Sequence, residues 1–174
     1  VNRQKDVKKK YMTVLTAVGV IIVIAAIATV TFFIPNKKYK SAEKLIKNQK
    51  YTQAVTAFKD LGGFRKSKGF LAEAYYNLGL QALNEKDENK ASDYFKKSND
   101  ADKSSEYGKQ AGAFLDYYAA TDALDKKDYD KAQQLFTSSA QAASDFNLIN
   151  KASAGMAQVS YIKADYSTAW QTIK

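Results

Sequence analysis

The sequence predicts an all-α protein in which one N-terminal transmembrane helix leads into a solenoid of about four helical hairpins. Three observations carry that prediction. Residues 12–34 are apolar and uncharged. Residues 39–174 hold no Pro and a single Gly-Gly pair among long runs of Ala, Leu, Lys, Glu, Gln and Tyr, and one short phrase recurs four times along them.

Residues 12–34 read MTVLTAVGVIIVIAAIATVTFFI, with thirteen Val, Ile, Leu or Phe. At 1.5 Å per residue they make a helix of ~35 Å, enough to cross a hydrocarbon core of ~30 Å with some tilt. Pro35 and Asn36 are expected to end that helix at the membrane surface. A cleaved signal peptide is the rival, because Ala26-Ile27-Ala28 fits a small-x-small cleavage pattern. Cleavage there would leave Phe32 and Phe33 in an apolar start to the mature chain, and the run is longer than a normal signal core, so an uncleaved signal anchor is expected.

The net charge of +9 is confined to the flanks of this span. Before it stand Arg3, Lys5, Lys8, Lys9 and Lys10 against Asp6; after it, Lys37, Lys38, Lys40, Lys44, Lys47 and Lys50 against Glu43; the rest of the chain balances. Lysines so placed suit anionic lipid headgroups. A nucleic-acid partner is not expected, since such domains spread Lys and Arg over a folded face, and the only arginines are Arg3 and Arg65. Basic residues on both flanks nearly balance the positive-inside rule; the signal-anchor layout favours a short cytoplasmic N-terminus and an exported C-terminal part. The expected division is a basic flank (1–11), the span (12–34), a juxtamembrane linker (35–38) and the repeats (39–174).

The recurring phrase sets a small residue four positions before a large apolar one: Ala54 and Phe58, Ala91 and Phe95, Ala132 and Phe136, Ala169 and Ile173, at intervals of 37, 41 and 37 residues. Both lie on one helical face, so the small residue admits a neighbouring helix while the large one fills the adjacent gap. Asp87, Asp128 and Asp165 precede three of the copies where N-caps belong. Another small residue, Ala42, Gly79, Ala120 or Ala157, stands twelve positions before each alanine. Together these predict helices near 38–49 and 51–61, 67–85 and 88–99, 104–126 and 129–142, and 148–163 and 166–174. The chain opens on Val1 and its final helix carries no cap, so sequence missing upstream, and truncation or a cover over the last apolar surface, are expected.

The pattern resembles the tetratricopeptide repeat (TPR), with its small eighth residue, Ala at the twentieth and Phe at the twenty-fourth position. Tyr75-Tyr76-Asn77-Leu78-Gly79 followed by Asp87 through Phe95 carries the likeness best. It extends over 39–174, with periods longer than the usual ~34 residues and no proline between units. One span followed by divergent repeats is also similar to bacterial single-span TPR-like membrane proteins, among them an accessory protein of the Sec translocon and envelope assembly scaffolds.

No catalytic constellation is expected. There is no Cys and no His, which excludes thiol nucleophiles, disulfides and imidazole chemistry. Asp122 with Asp125 and Asp128 with Asp130 read as solvated helix-end carboxylates; Ser104-Ser105 and Ser138-Ser139 have no partnering base, and Gly62-Gly63 lacks a phosphate-loop context. Neither an enzyme nor a cofactor or metal is anticipated.

The first helix of each TPR hairpin lines a concave groove, so the resemblance implies a binding face at Tyr39, Glu43 and Lys47, at Tyr76, Leu80 and Asn84, at Tyr117, Thr121 and Asp125, and at Gln158. Tyrosines there offer large contact area at low entropic cost, which suits a peptide or protein partner. The competing reading packs them between units. Two function classes follow: an adaptor or scaffold tethered at the cell envelope, or an accessory subunit of a translocation, secretion or transport complex whose span packs Gly19, Ala25, Ala26 and Ala28 against a channel helix.

Overall fold

The computed structural model describes the backbone of residues 2–173 and the side chains of residues 3–4 and 7–164. Its elements are α1 (Asn2–Ala28), a π-helical turn (Thr29–Phe33), α2 (Ile34–Lys47), α3 (Tyr51–Leu61), α4 (Ser67–Asn84), α5 (Glu88–Ala101), α6 (Glu106–Asp125), α7 (Tyr129–Ala142) and α8 (Phe146–Ile173), with no strand among the described residues.

The helix from α1 does not stop at Pro35, and 35–38 is no linker. Proline cannot donate to the carbonyl four residues back, and its ring collides with that group. The wide turn just ahead of it absorbs the mismatch: the Ile34 N–H donates to the Thr29 carbonyl five residues back, and Pro35 falls in the first turn of α2, where a missing N–H costs least. Thr29 and Thr31 donate their hydroxyls to the carbonyls of Ala25 (2.8 Å) and Ile27 (2.7 Å). The stretch Val7–Lys47 is long and apolar enough to cross a membrane, and none of its most apolar window is buried in the protein.

Three hairpins follow, α2–α3, α4–α5 and α6–α7, each closed by the same turn. Gln49, Lys86 and Lys127 take left-handed backbone angles (φ 57, 62 and 61). The next N–H reaches back five residues in each: Lys50 to Leu45, Asp87 to Ala82 and Asp128 to Ala123, all at 2.9 Å. These are Schellman caps, which satisfy the last helical carbonyls. Asp87 then caps α5 by accepting from the Lys90 N–H (3.0 Å), and Asp128 caps α7 from Lys131 (3.3 Å).

Asp165 opens no helix, because α8 runs unbroken from Phe146 to Ile173. Where the other turns place Gln49, Lys86 and Lys127, this segment has Ala164, and alanine favours helix over a left-handed cap. The expected fourth hairpin is therefore a single long helix.

Ala54, Ala91, Ala132, Phe58, Phe95 and Phe136 are all buried, as are Ala42, Gly79 and Ala120 opposite them. A β-carbon on Gly79 would sit 2.6 Å from the Phe95 ring, so the close crossing there requires glycine. In α8 the small residues Ala152 and Gly155 are buried, Gly155 beside Phe136 of the preceding helix, whereas Ala157 is exposed.

Candidate functional site

The end of α4, the α4–α5 turn and the first residues of α5 face the start of α8 across Phe114 of α6, and together they line an open concavity of ≈ 980 Å³. Its position is set by the α7–α8 connection. Buried Gln110 on α6 accepts the Ser144 N–H (2.7 Å) and donates to the Ala142 carbonyl (3.2 Å), and Asp145 accepts the Leu148 N–H (2.8 Å) to start α8. Leu148 is thereby pressed into the core beside Phe114, which stacks on Phe95 with centroids 4.2 Å apart.

Leu80, Leu83, Phe114 and Leu148 supply the apolar lining. The polar lining carries both signs, Lys86 and Lys151 against Asp87, Glu88 and Asp145, with Asn84, Asn89 and Asn147 between them. Tyr76 packs against Phe95 and Phe114 beside this wall (5.8 and 6.3 Å). Burial first, then the negative charge of Asp145, pushes its phenol up to about 12, so it stays a neutral hydrogen-bonding group. Such a surface can take an extended or amphipathic segment through a few side chains while pairing its backbone and charges at the edge.

Of the ten expected groove residues, the structure brings only Leu80 and Asn84 together in this concavity. Tyr39 is 5% exposed, enclosed by the rings of Phe58, Phe64 and Phe70; Tyr76 is buried, and half-buried Tyr117 packs on Tyr118 and Phe136. The tyrosines thus belong to the packing between helices, and Tyr39 and Tyr76 line no open groove. The reason is geometric: each sits three residues before the small position that meets the second helix, and so shares its face. Glu43 is half-buried near Tyr39, Lys47 and Asp125 are exposed at helix ends, Thr121 donates to the Tyr117 carbonyl of its own helix (3.0 Å), and Gln158 is exposed on α8.

Comparison with known protein families finds no match, and a search of curated proteins finds none either. The site therefore rests on its own geometry. Sequence reasoning missed Leu83, Phe114, Asp145, Leu148 and Lys151. The segment Asp145-Phe146-Asn147-Leu148 carried a readable signal, a helix-capping aspartate ahead of an apolar residue. The Gln110 clamp had none, because it joins positions more than thirty residues apart.

Proposed function

We propose that this chain is a membrane-anchored TPR-like adaptor that holds a segment of a partner protein at the cell envelope. Residues 12–34 cross the bilayer, their flanking lysines meet anionic headgroups, and the hairpins stand on the extracytoplasmic side. The concavity between the α4–α5 turn and the start of α8 carries this reading, since its lining combines apolar side chains with charges of both signs. The unburied apolar helix supports the anchor.

The experiment is photo-crosslinking in intact cells from a probe at Asn84 or Lys151, with Gln158, exposed on α8 and outside the concavity, as the control position. The expected outcome is one partner captured from both concavity positions, not from Gln158, and lost on Leu80→Glu in a chain that keeps its helix content. Equal capture from all three positions would remove the concavity as the site. Exchange of residues 12–34 for an unrelated span should leave the capture intact; loss of the partner on exchange would favour the accessory-subunit reading.

A further inference from the structure

The fold adds basic groups to the membrane end of the chain that the sequence places elsewhere. Because α2 leads away from Ile34 and α3 returns, the connection between α3 and α4 arrives beside the first turns of α2. Tyr39 is the meeting point. The Arg65 guanidinium lies 5.7 Å from its ring centroid, the Lys66 backbone hydrogen-bonds its hydroxyl, and Phe64 and Phe70 pack edge-on at 6.0 and 5.9 Å. Tyr39 stands five residues past Ile34, ~7.5 Å along the helix. Lys37, Lys38 and Lys40 occupy the same turns, and all three are exposed, as are Arg65, Lys66 and Lys68.

Six basic side chains from two segments therefore share one end of the first hairpin. Acidic groups are fewer at this end: Asp60 in the last turn of α3, Glu43 on α2 and Asp102. Glu43 lies a turn further along α2, away from Ile34. The Asp102 carboxylate is held below its usual range mainly by the Ser104 hydroxyl and the backbone of Ser104 and Ser105, with Lys68 contributing least.

We propose that this composite patch, Lys37, Lys38 and Lys40 with Arg65, Lys66 and Lys68, binds the phosphates of anionic phospholipids and seats the first hairpin on the bilayer surface. The proposal rests on residues 12–34 crossing the membrane. Given that span, the patch lies within about one Debye length (~8–10 Å) of the headgroups, where Lys and Arg attract an anionic leaflet. Arginine adds a planar fork for phosphate oxygens, while the lysines act as point charges.

The test is limited trypsin digestion of the full chain in nanodiscs of phosphatidylcholine alone, or of phosphatidylcholine with phosphatidylglycerol, read by mass spectrometry. Cleavage after Arg65 and Lys66 should slow roughly tenfold or more in the anionic discs and recover in high salt. Cleavage after Lys126 and Lys127, in the turn at the opposite end of a hairpin, should not change. Lys37→Gln/Lys38→Gln/Lys40→Gln should weaken the protection of Arg65, although these residues lie outside the segment being cut. Equal rates at Arg65 and Lys66 in both lipids, with the chain inserted, would overturn the patch and leave the span standing. A chain that does not enter the discs overturns both. Equal protection by soluble polyphosphate in lipid-free detergent would assign the patch to a soluble polyanion and overturn the lipid proposal.

Discussion

The Ser139 hydroxyl donates to the Ala113 carbonyl at 2.8 Å, tying the second helix of the α6–α7 hairpin to the first. Ser98 does the same to Ala72 at 2.7 Å, with each partner displaced by 41 residues, the interval that separates Ala91 from Ala132. Both serines are fully buried. Ser139→Ala and Ser98→Ala should each lower unfolding free energy by about 1 kcal/mol, since the carbonyls remain within helices when the hydroxyl is lost. Denaturant midpoints of the two variants measure this; no change in either would remove the bond as a stabilising feature.

Lys86 and Lys127 hold left-handed turns where glycine would be unstrained. Relief of that strain outweighs the added freedom of the unfolded chain, so Lys86→Gly and Lys127→Gly should each raise stability by about 0.5–1 kcal/mol. Thermal melts of the variants test the sign.

A β-carbon on Gly108 would stand 1.9 Å from the Asp102 carbonyl oxygen, whereas one on Gly63 would meet nothing within 4 Å. Gly108→Ala should displace the α5–α6 connection and cost about 3 kcal/mol or more; Gly63→Ala should stay within about 0.5 kcal/mol. Comparable melting temperatures would show that the connection moves freely.

Burial is the largest cause raising the phenols of Tyr76 and Tyr118, both to about 12 against an ordinary 10.0; Asp145 acts second on the former and Glu88 on the latter. A raised folded-state value means that the unfolded chain loses these protons first, so stability is full below pH 10 and falls as pH climbs toward 12. Tyr76→Phe/Tyr118→Phe should flatten that alkaline decline without changing its size near neutrality. Unfolding curves across this range decide it, and an unchanged alkaline limb would place the titration elsewhere.

The elements legible in the sequence were those written in local chemistry. Ala91 with Phe95 and Ala132 with Phe136 announce a helix face, and Asp87 and Asp128 announce helix starts, because spacing and capping act within a few residues. Pro35 misled because its local effect was offset by a π turn that its own signal does not reveal. Asp165 misled because a cap needs the turn before it, and Ala164 supplies none. Tyr39 and Tyr76 faced the core because the choice between groove and packing depends on what the neighbouring helices bring, here Phe70 and Phe114. The concavity itself arises from the Gln110 clamp on a distant connection.

If residues 12–34 cross a bilayer, as proposed, the unbroken helical passage into the first hairpin makes α2 a lever. Its 14 residues extend ~21 Å from Ile34, so a 20° change in the inclination of a membrane-crossing α1 would sweep its far end by ~7 Å. Helices incline to match bilayer thickness. With no slack at the surface, a thicker or thinner membrane would re-aim the hairpins, and the lipid composition around the anchor would steer which neighbours they can reach.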